Sequence, residues 1–424
     1  MSRYLRWSCC APVCLLVLAL GSWESAAAAE PPAFHKSRPS HQAAYEYVPQ
    51  DNMPQDMPYG RLEGGPESGM YDGDGGPYGD GGQYGCGPSD CGCGPYTGDC
   101  GTCDMPCDAD CGVPCDCRPA MCCNPRFTFF GDFLYLQVTD VDVAHAQQQN
   151  GIGGAGTVPF GDIGTIGQDF SPGFRVGGSV ACGPCSGVVM SFTHFESDSS
   201  DSVEAPDIPG GGGAVGSLVH HPGAALTASA GPVDATYEID YQLADVMCRS
   251  VWRSGCNYAV NYMVGAQFGH LDQDFAQIGI FSGGQSGAID TSTSIDFDGG
   301  GLKAGIDAER QFKHGLGAYG RFTAAAMSGR FSSRYTMFNA TTDQLLAQAN
   351  WKDDRVIGQF ECELGMSLTS LNNHWKASIG YMFSQWANVV TTPEFIEAVQ
   401  FDNYVHVGDR IGFDGLVSRV EYRW

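Results

Sequence analysis

From Phe127 to the last residue the chain alternates apolar and polar side chains with a period of two. Phe127, Phe129, Phe133 and Tyr135 share one parity, while Thr128 and Asp132 take the other. Tyr237, Ile239, Tyr241 and Leu243 alternate with Glu238, Asp240 and Gln242. Tyr258, Val260, Tyr262, Val264, Ala266 and Phe268 alternate with Asn257, Asn261, Gln267 and Gly269. Val356, Phe360, Leu364, Met366 and Leu368 oppose Gln359, Glu361, Glu363, Ser367 and Thr369. Trp375, Ala377, Ile379, Tyr381 and Phe383 oppose His374, Lys376, Ser378 and Ser384. This period predicts strands. They exceed the roughly five or six residues of soluble sheets and reach the roughly ten that a tilted strand needs to cross hydrocarbon.

The strands predicted in this way are 127–138, 172–181, 187–196, 235–246, 256–269, 295–309, 315–327, 354–369, 374–386 and 411–424. The connections between them alternate in length. Those at 139–171, 197–234, 270–294, 328–353 and 387–410 are long, and those at 182–186, 247–255, 310–314 and 370–373 are short. Short turns on one side and long loops on the other characterise outer-membrane barrels, and an even count puts both termini on the short-turn, periplasmic side. The pattern therefore predicts an all-β protein, an antiparallel transmembrane β-barrel of ten strands. Alternation at Phe331–Met337 and ambiguity at 391–407 leave twelve open. A secreted soluble β-sandwich adhesin is the competing fold.

The N-terminal third has a different character. Arg3 and Arg6, the apolar run Ala11–Leu20 and the alanines at 26–29 predict a cleaved secretory signal peptide over 1–29. Residues 30–85 carry too little aliphatic content to offset ordering entropy and read as a disordered, acidic, Gly/Pro-rich arm. In that arm Asp72 and Asp74 invite a calcium reading, but Pro77 and a missing Glu exclude an EF-hand loop. Residues 86–125 hold eleven cysteines between Cys86 and Cys123. Export favours disulfides there, with an all-Cys metal site as the alternative, and the odd count leaves one thiol for a disulfide-linked neighbour. The barrel is assigned to 126–424.

Composition agrees with export into a membrane. The formal charge is −26, from 22 Lys plus Arg against 48 Asp plus Glu, which disfavours nucleic acid as a partner. Only 17% of residues are charged, and glycine supplies 59 of 424. No stretch after the leader approaches 18 consecutive apolar residues, so any membrane crossing is made by strands.

The C-terminal run GFDGLVSRVEYRW puts Leu416, Val420, Tyr422 and Trp424 on one parity and ends in an aromatic residue. That pattern resembles the signal by which the barrel-assembly machinery selects its clients. The series RFTFFGDFLYL, SPGFRVGGS, YEIDYQLADV and FDGGGLKAGIDAERQF followed by GLGAYGRF resembles the Legionella major-outer-membrane-protein-like family of pore-forming barrels, in its planctomycete form, over about residues 126–424. Membership implies an outer-membrane pore and no catalytic residues.

Candidate chemistry is confined to the lumen. Parity assigns Asp132, Glu238, Asp240, Asp307, Glu309, Glu361, Glu363 and Glu421 to it, with Arg175, Lys303, Arg321, Lys376, Arg419 and Arg423. On the lipid face a mid-depth Arg or Lys costs about 2–4 kcal/mol. Facing acidic and basic walls would set a transverse field, and the acidic excess predicts mild cation preference. The alternative is that these groups merely fill a narrow barrel.

Cys182 with Cys185, and Cys248 with Cys256, bracket short turns and are disulfide candidates. Cys362 has the lipid-facing parity of a free, inert thiol. The G-x-G-x-x-G match at Gly151–Gly156 lacks a preceding strand and a following helix, and His220-His221 sits in a Gly-rich loop. No H-E-x-x-H, P-loop or G-x-S-x-G occurs. The expectation is a non-enzyme without cofactor or metal, embedded in outer-membrane lipid and passing small solutes or ions. The alternative function is a disulfide-cross-linked structural envelope protein anchored by its barrel.

Overall fold

A computed structural model describes residues 126–424 except Pro184, Gly210, Ala225, Cys256, Gly284 and His406. The signal peptide expected at 1–29, the acidic arm at 30–85 and the Cys-rich segment at 86–125 lie outside the described residues. The strands run β1 (Phe127–Thr139), β2 (Val143–Gln149), β3 (Pro159–Ile166), β4 (Ser171–Gly183), β5 (Ser186–Val203), β6 (Ala214–Ser217) and β7 (Leu226–Ser254). They continue with β8 (Tyr258–Gly283), β9 (Gly287–Gln311), β10 (Leu316–Asn339), β11 (Gln344–Thr369), β12 (Trp375–Val389) and β13 (Asp409–Arg423). Among the described residues one α-helix, α1 (Thr392–Gln400), joins β12 to β13.

Ten strands close a ring in the order β1-β13-β12-β11-β10-β9-β8-β7-β5-β4, and β4 pairs back to β1. Every pairing is antiparallel. Closure leaves no edge in the ring, which is what a sheet in lipid requires. β6 branches from β7 at Val215↔Ser229, β2 pairs with β6, and β3 with β2. The ring thus has ten strands. Phe331–Met337 is the upper part of β10, and 391–407 carries α1.

The long loops expected at 197–234, 270–294 and 328–353 are for the most part strand. β7 has 29 residues, β8 26, β9 25, β10 24 and β11 26, against 13 for β1 and β4. Roughly ten residues suffice to cross the hydrocarbon core, so β7–β11 build a wall that rises beyond it on the side away from the short turns. Across that height the side-chain logic inverts. In the lower half of β8, Tyr262, Val264 and Phe268 point outward while Asn261 and Gln267 are buried inside. In its upper half Leu271, Phe275 and Phe281 are buried inside, and His270, Asp272 and Asp274 are outside. The same inversion occurs in β10, from outward Phe322 to inward Phe331 and Tyr335. Below the inversion the outer solvent is hydrocarbon, and above it the outer solvent is water. One alternating strand serves both because only the chemistry of each parity changes, not the pleat.

The hydrophobic core therefore lies inside the barrel, in its upper half. α1 seats there. Pro393 occupies its first turn, where a missing N–H is tolerated, and Phe395, Ile396 and Val399 are buried. The Gln273 carboxamide of β8 holds the entry to the helix, donating to Val390 O at 2.8 Å and accepting from Thr392 N at 3.2 Å. Gln400 at the exit donates to Leu218 O and His220 O at 2.7 and 3.0 Å. No helix among the described residues is long and apolar enough to cross a membrane.

Candidate functional site in the lumen

At the short-turn end the lumen opens into a cavity of about 560 Å³ that reaches up from Trp424, Asn372 and His374 to Arg175, Asp245 and Lys303. Inward-facing charges line it because the lower strands place polar residues on that parity. Arg175 on β4 is nearly buried and faces three carboxylates: Glu361 at 3.2 Å, Asp132 at 3.6 Å and Glu363 at 3.6 Å. Glu361 and Glu363 belong to β11, four places round the ring from β4, so this ion pair crosses the lumen. Arg419 grips Asp132 with two bonds of 2.6 Å and lies over the Phe130 ring at 4.5 Å. Arg321 reaches Glu363 at 3.3 Å.

Lys303 pairs with Asp245 at 3.0 Å near the level of Arg175, and towards the mouth the pairs are Arg249–Asp307 at 2.5 Å, Lys376–Glu309 at 2.5 Å and Arg423–Glu421 at 2.6 Å. Asn261 adds a bond of 2.9 Å to Asp307. Tyr319 lies across Gly365 and Gly380, where a Cβ would come within 2.8 and 2.6 Å of its ring and hydroxyl. Two glycines on neighbouring strands are what let the ring lie flat against the wall.

Asp132, Arg175, Lys303, Asp307, Glu309, Arg321, Glu361, Glu363, Lys376, Arg419, Glu421 and Arg423 face inward. Glu238 and Asp240 are corrections. They sit on the outer face of β7, because Tyr237, Ile239, Tyr241 and Leu243 turn inward in the upper half of the wall. Asp245 was missed for the same reason, and Arg249 because it lies in the segment 247–255 expected to be a turn, which is the end of β7. The signal for them was the pairing of Asp245 with Gln267 and of Arg249 with Met263 on β8, whose lumen parity was legible. With these exchanges acids and bases balance, and they interleave along the ring instead of forming facing walls.

Above the charges the lumen is crossed by aromatic side chains. Tyr241 of β7 meets Phe413 of β13 and Trp386 of β12 at ring-centroid distances of 4.7 and 5.8 Å. Phe195 of β5 packs on both Tyr241 and Phe413, at 5.5 and 5.9 Å. Tyr241 is 3% exposed and Trp386 1%. This layer separates the charged vestibule from α1.

On the outer wall, Leu416, Val420, Tyr422 and Trp424 are exposed, among a belt of outward apolar side chains that includes Phe129, Phe174, Phe192, Leu302, Phe360 and Ile379. Immediately above the belt on β5 and β7–β9 is an acidic band that contains Glu196, Asp198, Glu238, Asp240, Asp272, Asp274, Asp296 and Asp298. His270 within it lies between Asp272 at 2.8 Å and Asp298 at 2.9 Å, and these carboxylates raise it to about 9. Burial together with Asp272 and Asp274 raises Asp296 to about 6.

Cys182 is a free thiol with its Sγ 3.8 Å from Val180 O, so it is not stapled to Cys185. The strand ladder closes that turn, with Gly183 paired to Ser186. Cys256, the partner expected for Cys248, lies outside the described residues. Cys362 is a half-buried free thiol on the outer face. No cluster of His, Cys, Asp or Glu among the described residues has metal-binding geometry.

The sequence matches, over residues 119–423, the family described as Legionella pneumophila major outer membrane protein precursor. No curated protein matches it. Among solved structures it is similar to the outer membrane protease OmpT from Escherichia coli, at 9% identity and a TM-score of 0.40, covering 70% of this chain and 96% of that one. It is also similar to a mutant of the monoaromatic hydrocarbon channel TodX, at 6% identity and a TM-score of 0.25, covering 71% and 93%. A Pseudomonas aeruginosa FadL homologue aligns at 9% identity and a TM-score of 0.19, covering 72% and 94%.

Proposed function

Since the chain belongs to the Legionella major outer membrane protein family and resides in the outer membrane, we propose that its barrel is a small-solute pore narrowed at the aromatic layer. The observation that carries this reading is the vestibule. Some 560 Å³ of space inside a lipid-facing wall is lined by paired acidic and basic side chains, and a space with so polar a lining holds water. In this reading the short-turn end faces the periplasm and the tall wall stands outside the cell. Small polar solutes diffuse passively through the vestibule and past the aromatic layer when its side chains and α1 move aside. Chemistry on the solute plays no part. The outward Leu416, Val420, Tyr422 and Trp424 are read by the barrel-assembly machinery before they meet lipid.

A second reading rests on the aromatic layer itself. Buried rings that meet across the lumen suit a closed barrel that anchors an envelope protein whose N-terminal cysteines link it to neighbours. Single-channel recording of the refolded mature chain in a planar bilayer separates the two. Small stepwise conductances support the pore. Silence from a chain shown to be folded by heat-modifiable migration, with a non-reduced ladder that collapses in reductant, favours the anchor.

A further inference from the structure

The end of β4 lies beside the start of β1. Phe127 stands opposite Val180, and Ala181 N donates to Arg126 O at 3.1 Å. Cys182 is the next residue of β4, a half-buried free thiol. Its Sγ meets Val180 O at 3.8 Å, a contact too weak to compete with a covalent bond. Upstream of Arg126 the chain reads Cys122-Cys123-Asn124-Pro125. Three residues span at most about 11 Å, so Cys123 is held within that distance of Arg126. Consecutive Cα atoms are about 3.8 Å apart, short of the roughly 4.4–6.8 Å that an unstrained disulfide spans. Cys122 and Cys123 are therefore poor partners for each other. Cys248 on β7 and Cys362 on β11 each stand three strands round the ring from β1. At the usual strand spacing that is roughly 14 Å across the sheet, whereas Cys182 is on the strand next to β1.

We propose that Cys182 forms a disulfide with one of the pair Cys122 and Cys123, stapling the chain that precedes β1 to the end of β4. The eleven cysteines from Cys86 to Cys123 are odd in number, and Cys182 makes the set even. So short a tether sets an effective concentration in the millimolar range, which favours Cys182 over a thiol on another molecule. The periplasm and the cell surface are both oxidising, so the bond does not depend on which way the barrel faces. It forms by thiol–disulfide exchange with a small-molecule or protein disulfide. The two cysteines lose their protons and an electron pair as the new S–S bond forms, and the donor's S–S bond breaks to two thiols that take them up. Phe127 N bonds Trp424 O at 3.1 Å and Trp424 lines the vestibule, so the staple sits at the vestibule rim. It stands whether or not the barrel conducts.

The test uses the full chain, secreted by a Gram-negative host, with the site of a specific protease inserted after Gly154 in the exposed loop between β2 and β3. Free thiols are blocked with N-ethylmaleimide before lysis, and cut chains are boiled in SDS. The two fragments of the wild type should stay joined at monomer size and part only with reductant. They should part without reductant in Cys182→Ser and in the double variant Cys122→Ser, Cys123→Ser, and stay joined in Cys185→Ser. Heat-modifiable migration of the uncut chain shows that each variant folds. Wild-type fragments that part without reductant overturn the proposal. So do fragments that stay joined in Cys182→Ser or in the double variant, that part in Cys185→Ser, or that are joined only at dimer size. Non-reduced peptide mapping of the uninterrupted wild type asks the same without any variant. A peptide linking Cys122 or Cys123 to Cys182 is expected, and an alkylated Cys182 overturns the proposal.

Discussion

Tyr241 and Trp386 meet across the width of the barrel, their rings 5.8 Å apart although β7 and β12 stand five places apart in a ring of ten. A contact between opposite walls closes the lumen at that level. Trp386→Ala removes the largest of the fully buried side chains, at about 3–5 kcal/mol of stability, and opens the layer. Larger unitary conductance than the wild type is expected in a planar bilayer, while Tyr241→Phe, which keeps the ring, should conduct like the wild type. Equal conductance in all three chains would show that this layer does not set the constriction.

Arg175 holds the charged layer together because three carboxylates from two sides of the lumen converge on it. Removing one partner of a buried network leaves uncompensated charge, so Arg175→Met should cost about 3–5 kcal/mol. Adding Glu361→Gln removes one of the stranded carboxylates and should recover part of that loss. Urea unfolding of the vesicle-inserted chain measures both. A double variant no more stable than the single one would mean that Glu361 finds other compensation, for which Lys303 and Arg321 are the cations at hand.

The ten ring strands were legible because period-two alternation survives wherever one face meets lipid or core. Their upper reaches were not, since the same alternation continues with its chemistry inverted. Phe331, Tyr335 and Met337 read as an extra strand when they are the inward face of β10 above the belt. The error at Glu238 and Asp240 has one cause: a single parity was extended through a strand that passes from lipid into water. A sequence shows the alternation but not the height at which the outer solvent changes. Asp245 and Arg249 could have been placed only through their neighbours on β8. α1 lacked a long helical pattern, and its nine residues are held by Gln273 and Gln400, contacts far apart in sequence.

Charge balance in the vestibule changes the expected selectivity. With Glu238 and Asp240 outside, every vestibule acid has a base within bonding range, so no net field draws one ion over the other. The reversal potential in a KCl gradient should lie close to zero. Arg249→Gln leaves Asp307 with the Asn261 amide as its hydrogen-bond donor and should shift the potential towards potassium. A wild-type potential strongly favouring either ion would contradict the balance, and an unchanged potential in the variant would place Asp307 off the conduction path.

The acidic band gives stability a pH dependence of definite sign. His270 is held at about 9 by Asp272 and Asp298, against roughly 6.5 in an unfolded chain. The folded protein therefore keeps a proton that the unfolded chain releases. This contribution is complete below about pH 6.5 and is lost as pH rises through about 9. Its size is limited because the imidazole is partly exposed and screened by water. Asp296, raised to about 6, acts in the same direction one step lower, since it also binds its proton more tightly folded than unfolded. Stability should fall between about pH 4 and 6 through Asp296, and again between about pH 6.5 and 9 through His270. Urea midpoints of the vesicle-inserted protein across this range should show both declines. Asp296→Asn should flatten the first and His270→Gln the second. Parallel profiles for the wild type and His270→Gln above pH 6.5 would show that the two carboxylates do not hold that proton.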